Sequence, residues 1–143
     1  MALLAGALVA ACGSSLTGPE ESLRQWVQQG QQAVDDKNRR ALVDMISPAY
    51  RDGRGNRRDD IENMLRFYFL RMDNVALITR IEELNVIGGT AAELVLSVAM
   101  AGTHDGILGF SAEAYRFEME LELDGDDWLL LGARWGEIGG ELH

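Results

Sequence analysis

AEAYRFEMELELDGDDWLLLGARW, residues 112–135, determines the architecture of this chain. Between Tyr115 and Leu123, apolar residues alternate with arginine and glutamate, and this period of two is typical of a strand with one buried face and one wet face. The Asp-Gly-Asp-Asp run at 124–127 supplies turn chemistry, and a second apolar run follows from Trp128 to Trp135. We therefore predict a long β-hairpin whose apolar face is covered by the residues upstream.

The alternation also predicts the register of the first hairpin strand. A one-residue slip would bury three glutamates, at a cost of several kcal/mol each if they were unpaired. These are Glu118, Glu120 and Glu122. The side chains expected to point toward the helices are Tyr115, Phe117, Met119 and Leu121.

Length and composition restrict the class of protein. The 143 residues fit one domain, and an apolar content of 47% with a charged content of 25% is that of a globular protein. The formal net charge of −10 repels phosphate backbones, which argues against nucleic acid as a partner. The sequence has no glycine-rich phosphate loop and no nucleophile elbow, and its two histidines are His104 and His143. Neither a cofactor nor a metal is therefore expected.

The first twelve residues, MALLAGALVAAC, are apolar and uncharged, and they are shorter than the roughly 20 residues that span a bilayer. They fit the apolar region of an export signal, and Val9-Ala10-Ala11-Cys12 resembles the lipobox of bacterial lipoproteins. The resemblance implies a signal peptide at 1–11, acylation of Cys12, and a tether at 12–18. Because Gly13 follows the cysteine, it also implies the periplasmic side of the outer membrane. The alternative is a buried N-terminal element with a chance cysteine.

Three helices are predicted before the strands. The first starts within residues 17–20, where Thr17 and Glu20 have capping-box spacing, and runs to about Asp36. The second has Asn38 as N-cap and ends before Pro48, and the third opens at Asp59 or Asp60.

The period then changes to that of strands. Strands are expected at about 75–87 and 91–101, and a glycine-containing loop precedes the hairpin.

This order is an α+β pattern, a curved four-stranded antiparallel sheet around three helices. It resembles the NTF2-like (SnoaL-like) superfamily over about residues 20–137. The resemblance rests on the element order, the AVDDKNRRALVDMIS break at 33–47, the Tyr-Arg-Asp-Gly segment at 50–53 and the Gly-Asp-Asp-Trp turn at 125–128. It implies a cone-shaped domain at 19–138, followed by a C-terminal tail at 139–143. The fold hosts isomerases, dehydratases, transport factors and non-enzymatic domains, so it implies no single activity.

The resemblance also implies where chemistry would occur. NTF2-like isomerases use a carboxylate base together with a tyrosine and a protonated aspartate that hold an oxyanion. The base position falls at Asp52, whereas the other two fall near Gly30 and Met119, which cannot donate a hydrogen bond. The His/Asp pairing of the dehydratases finds no histidine on a helix or strand. Asp52 is therefore the one candidate general base, and its alternative role is that of a turn residue.

Nine of the thirteen basic residues lie between Lys37 and Arg71. Four of them precede the third helix, in a segment that borders the cavity mouth in this superfamily: Arg51, Arg54, Arg57 and Arg58. One interpretation is an anion-accepting rim. The other is a solvated loop, or one that faces anionic lipid near the anchor.

The large apolar side chains leave two interpretations of the interior. Most of them pack as core, where each buried ring stabilises the fold by a few kcal/mol. If the cone holds a cavity, its expected lining residues are Trp26, Tyr50, Tyr68, Met100, Tyr115, Phe117, Met119 and Trp135. The predicted function is non-enzymatic binding of a small apolar ligand or of an envelope protein. The alternative is an isomerase or dehydratase that uses Asp52.

The second hairpin strand is apolar at four successive positions, 128–131. Either Trp128 and Leu130 or Leu129 and Leu131 face inward. We predict the second arrangement because Trp135 then also points inward, as in the last strand of the superfamily. Trp128 would lie on the convex surface and favour a weak homodimer or a contact with another envelope protein.

Overall fold

The computed structural model describes residues 18–103 and 110–143. Three helices, α1 (Pro19–Asp35), α2 (Arg39–Asp44) and α3 (Arg58–Arg71), precede four strands. The strands are β1 (Asn74–Ile87), β2 (Ala91–Thr103), β3 (Phe110–Asp124) and β4 (Asp127–Glu137). This order confirms the predicted α+β arrangement. The predicted signal peptide, Cys12 and most of the tether lie outside the described residues.

Local side-chain chemistry sets the starts of the helices. Gly18 is the N-cap of α1, where Thr17 was predicted, and Pro19 occupies a first-turn position in which its missing N–H costs nothing. Asn38 caps α2 as predicted, because its Oδ1 accepts the Ala41 N–H at 3.1 Å. None of the helices in the described ranges combines the length and apolarity that a membrane span requires.

The four strands form one antiparallel sheet in the order β1-β2-β3-β4. The β3–β4 hairpin closes through two residues between Asp124 and Asp127, and Gly125 supplies the positive φ of +61°. Leu121 is 2% exposed within the core, whereas Glu120 beside it is exposed. The predicted register of β3 is therefore confirmed.

The prediction for β4 was wrong, because Trp128 faces the core. Its side chain is 5% exposed and packs in the main core cluster, which also holds Leu23 and Leu121. Trp128 pairs with Leu123 across the hairpin, so the even-numbered loop puts it on the concave face. Trp128 is therefore buried and gives no support for a dimer.

A β-bulge explains how Trp135 can face inward as well. Glu120 pairs with Gly132, but Leu121 pairs with Leu130, so Leu131 is an extra residue in the ladder. The extra residue reverses the alternation between the two ends of β4. Trp128 and Trp135 therefore lie on the same face although they are seven positions apart.

The main core lies between α1 and the concave face of the sheet. Leu23 and Val27 of α1 pack with alternate residues of β2, namely Ala92, Leu94, Leu96 and Val98. Helix α1 packs along β1, and α2 packs against both α1 and α3. A separate cluster around Phe69 and Met72 attaches α3 to the start of β1.

Two segments cover the outer edge of β4. The backbone N–H groups of Ser47, Arg51 and Gly53 donate to carbonyls within residues 130–133 at 2.9, 3.1 and 3.1 Å. Further along the edge, Trp135 and His143 exchange backbone hydrogen bonds of 3.1 and 3.2 Å. Residues 139–143, predicted as a tail, thus fold back onto the sheet. Both segments satisfy an edge that would otherwise present unpaired backbone groups.

Candidate functional site

Asp52 lies in the segment that covers β4, and its carboxylate accepts four hydrogen bonds. Its Oδ1 accepts the backbone N–H groups of Arg54 and Asn56, both at 2.9 Å. Its Oδ2 accepts the Tyr50 hydroxyl and the Asn56 side-chain amide, both at 3.0 Å. All four donors come from residues 50–56, which is the pattern of an aspartate that organises its own turn.

Tyr50 reinforces this arrangement from inside the fold. Its side chain is 3% exposed and packs with Ile46 and Ala133. Burial, followed by the charge of Asp52 and the hydrogen bond to it, raises the pKa of Tyr50 above its ordinary range. The hydroxyl therefore stays protonated and donates a hydrogen bond to Asp52. A carboxylate has about four acceptor positions, so protein donors fill those of Asp52.

A second group of aromatic side chains lies on the concave face of β3 and β4. The rings of Phe117 and Trp135 stack with centroids 6.0 Å apart and an interplanar angle of 15°. Tyr115 meets Phe117 edge-on at 6.4 Å. All three side chains are half-buried, so part of each ring remains accessible. We refer to Tyr115, Phe117 and Trp135 as the aromatic wall.

Polar groups adjoin one end of the aromatic wall. The Tyr115 hydroxyl donates to Oε2 of Glu113 at 2.7 Å. This hydrogen bond, then burial and the charges of Glu113 and Glu137, raise the pKa of Tyr115 to about 12. Tyr68 of α3 is close enough for burial and the Glu113 charge to raise its pKa too. Both tyrosines therefore present hydroxyl groups at neutral pH.

Glu113 was missed by the sequence reasoning. Its exposed carboxylate lies on the same strand face as Tyr115, two positions away. That spacing was available in the sequence, because residues i and i+2 of a strand share a face. The motif positions of the superfamily fall at Asp52 and near Gly30 and Met119, so they do not point to Glu113.

The structure brings together part of the predicted lining set. Tyr68 lies near the aromatic wall, and Met100 pairs with Glu113 across β2 and β3. Tyr50 belongs instead to the core, and Met119 packs between the two core clusters around Leu23 and Ile46.

Trp26 lies elsewhere, against the main core and a cavity of about 330 Å³ between α1, the end of α2 and the β3–β4 turn. Its Nε1 is buried and has no hydrogen-bond partner among the described residues.

The four arginines of the predicted rim have different surroundings. Arg54 places its guanidinium 4.4 Å from the centroid of the Trp135 ring and donates to the Trp135 carbonyl at 3.1 Å. Arg58 donates twice to the Val43 carbonyl, at 3.2 and 2.9 Å, and so ties α3 to α2. Arg57 is the N-cap of α3. Arg51 lines a cavity on the convex face. Of the four arginines, Arg54 is the one that contacts the aromatic wall.

That convex cavity has a volume of about 520 Å³. Its charged lining residues are Arg51, Glu83, Glu93, Glu118, Glu120 and Arg134. Arg134 pairs with Glu118. Within residues 18–103 and 110–143, no three histidine, cysteine, aspartate or glutamate side chains converge as a metal site.

Known structures resemble this chain in fold. A scytalone dehydratase-like protein of Novosphingobium aromaticivorans has a TM-score of 0.74 at 9% identity, over 81% of each chain. A ketosteroid isomerase-like protein of Erwinia carotovora atroseptica has a TM-score of 0.67 at 11% identity, over 83% of this chain and 95% of the other. An NTF2-like superfamily protein of Salmonella enterica scores 0.67 at 11% identity, over 82% and 89%. No family model and no curated protein matches the sequence.

Proposed function

We propose that the chain, which has the NTF2-like fold, binds a small apolar ligand at the aromatic wall without transforming it. The stacked pair of Phe117 and Trp135 is the observation that supports this most, because both rings are half-buried and leave part of their apolar surface accessible. The hydroxyls of Tyr68 and Tyr115 supply the few polar groups that orient a ligand in such sites. Arg54 covers Trp135 by a cation–π contact and holds its ring in place.

The alternative is an isomerase or dehydratase with Asp52 as its base, a class to which the names of several structural neighbours refer. A general base must direct a free lone pair at the proton that it removes. Asp52 would have to give up one of its four hydrogen bonds to do so. A ligand that contacts the aromatic wall breaks no such hydrogen bond. This difference favours binding over catalysis by Asp52.

A neutral fluorescent naphthylamine probe tests this proposal. We expect the probe to bind with micromolar affinity and to quench tryptophan fluorescence. Trp135→Leu removes half of the stacked surface and should weaken binding about tenfold, a loss near 1.4 kcal/mol. Phe67→Ser, which removes an exposed ring on the outer face of α3, is the matched control and should leave binding unchanged. Unchanged binding by a folded Trp135→Leu protein would contradict the proposal.

The proposal includes anchoring of the domain through an acylated Cys12 on the periplasmic side of the outer membrane. The lipobox-like residues 9–12 support it. Exported full-length protein should partition into detergent, and Cys12→Ser should release it into the aqueous phase or leave the precursor uncleaved. Mass spectrometry that finds an unmodified Cys12 on the exported, cleaved protein would contradict this assignment.

A homodimer or an envelope partner is also part of the proposal, but at a different position from Trp128. On the convex face Ile78 is 69% exposed and Ile138 is 58% exposed, beside Ala99 and Ala114. Exposed apolar residues that cluster in this way favour burial against another protein. Sedimentation of the Cys12→Ser chain should show a concentration-dependent dimer that Ile78→Asp abolishes. A monomer at every concentration would leave only a different protein as the partner.

A further inference from the structure

The outer face of α3 is apolar although it is exposed. Met64, Phe67 and Leu70 are 46%, 62% and 80% exposed. Their spacing of three residues places them along one side of the helix. No acidic residue occurs in the surrounding stretch NMLRFYFLR at 63–71, in a chain that has 23 of them. Such a row of exposed apolar side chains is typical of a contact surface.

Basic side chains border this row. Arg71 lies over the Phe67 ring, with its guanidinium carbon 5.2 Å from the centroid. A cavity of about 490 Å³ adjoins Leu70 and is lined by the basic residues Lys37, Arg39, Arg40 and Arg66. The concentration of positive charge is unusual in a chain whose net charge is −10.

Two of these cations are free to bind an external anion. Lys37 donates to the Met72 carbonyl at 2.6 Å, and Arg39 lies 3.9 Å from Glu62. Arg40 and Arg66 are exposed and form no ion pair with any residue in the described ranges. Guanidinium groups in this state favour phosphate, to which they can donate two parallel hydrogen bonds.

We propose that this α3 face, made of Met64, Phe67, Leu70, Arg40 and Arg66, docks on the surface of an anionic phospholipid bilayer. Apolar side chains flanked by cations match the boundary between acyl chains and phosphate headgroups. A second copy of the chain fits less well, because a symmetric contact through this face would bring the same arginines together. The rest of the acidic molecule is repelled by anionic lipid, so the face also sets the orientation of the domain.

The inference does not depend on acylation of Cys12, and it can be tested without the lipid. Helix α1, about 25 Å long at 1.5 Å for each of its 17 residues, lies between Gly18 and Lys37, and Lys37 lines the cavity beside Leu70. A domain held at both places would lie with α1 along the membrane. If Cys12 is not acylated, the α3 face still predicts reversible binding to vesicles.

Flotation with lipid vesicles tests the inference directly. The full chain is synthesised in a membrane-free extract, so that Cys12 stays unmodified, and is mixed with vesicles of phosphatidylcholine alone or with about one-third phosphatidylglycerol. We expect binding to the anionic vesicles that weakens with added salt. Arg40→Ala and Arg66→Ala should each weaken it about fivefold, since one cation near such a surface is worth about 1 kcal/mol. Arg80→Ala on β1 changes the net charge equally and should have no effect.

A second pair of variants, one in the α3 face and one control outside it, tests the apolar side chains. Leu70→Ser should reduce binding to anionic vesicles severalfold, whereas Ile87→Ser, at an exposed apolar position at the end of β1, should not. Equal binding to neutral and anionic vesicles, or equal losses for Arg66→Ala and Arg80→Ala, would overturn the inference. So would a dimer in sedimentation that Leu70→Ser dissociates while vesicle binding is absent, because the face would then be an interface between copies.

Discussion

Two tyrosine–carboxylate pairs in this molecule have the same sequence separation and different surroundings. Tyr50 donates to Asp52 at 3.0 Å, and Tyr115 donates to Glu113 at 2.7 Å. Tyr50 is buried, and the oxygens of Asp52 accept three more donors from the same segment. Glu113 is exposed, and Tyr115 is its one hydrogen-bond donor among the described residues.

The difference shows what makes a carboxylate available to a ligand. A tyrosine beside it is not sufficient, because both pairs have one. The number of acceptor positions that the protein already fills decides whether a ligand can enter without breaking hydrogen bonds. By this criterion Asp52 holds a segment in place, and Glu113 is free to meet a polar group of a molecule at the aromatic wall.

The largest expected effect is that of Asp52→Ala. The substitution leaves four donors without their acceptor and should lower the free energy of unfolding by about 2–4 kcal/mol. Urea denaturation followed by tryptophan fluorescence measures this value. Glu113→Ala is the control and should change stability by less than about 0.5 kcal/mol. Equal losses of unfolding free energy in the two variants would show that the extra hydrogen bonds of Asp52 do not distinguish it from Glu113.

The two tyrosine hydroxyls should differ by a smaller amount. Tyr50→Phe removes one of the four donors to Asp52 in a buried position, and we expect a loss of about 1 kcal/mol. Tyr115→Phe removes a hydrogen bond to an exposed carboxylate, and its effect on the same unfolding curve should be within about 0.5 kcal/mol. A larger loss for Tyr115→Phe would mean that its ring position depends on Glu113.

The smallest expected effect is the change in stability with pH that accompanies the titration of Tyr115. The pKa of Tyr115 is raised to about 12, above its ordinary value of about 10, so the folded state holds this proton more tightly than the unfolded state does. Its contribution to stability is complete below about pH 10 and is lost as the pH rises through about 12. The near-ultraviolet absorbance of the phenolate reports the titration.

Glu113→Gln separates the two pairs in that titration. The substitution removes the charge beside Tyr115, so the pKa of Tyr115 should fall toward its ordinary value. The pKa of Tyr50, which is raised mainly by burial and by Asp52, should stay where it is. A pKa of Tyr115 that does not move would show that burial, and not Glu113, controls it.

The residues of β3 show how far the fold could be predicted from the sequence. Three glutamates alternate with large apolar residues there, so the two possible registers differ by a large free energy of burial. Across the hairpin, residues 128–131 are all apolar, and both registers bury the same kind of side chain. The two-residue turn decides that Trp128 faces inward, and Trp135 can face inward as well only because of the bulge at Leu131, which the apolar run does not indicate.

The candidate site was predictable only in part for a related reason. Strand alternation placed Tyr115 and Phe117 on the concave face, and the Arg-Asp-Gly turn already suggested a structural role for Asp52. The partners of Asp52 were not predictable, because they depend on how the loop closes and on which way the Tyr50 ring points. The contact of Arg54 with Trp135 likewise joins residues 81 positions apart, beyond the reach of local patterns.

The covering of β4 has a consequence for the order in which the chain can fold. Residues 45–53 leave the ribosome about 80 residues before the carbonyls of 130–133 to which they bond. Until β4 is made, Ser47, Arg51 and Gly53 have no backbone acceptor there, and the aromatic wall lacks Trp135. Contacts of such long sequence separation form late, because the loop they close is entropically costly. The cover of β4 and the complete aromatic wall therefore form only after nearly the whole chain has been synthesised.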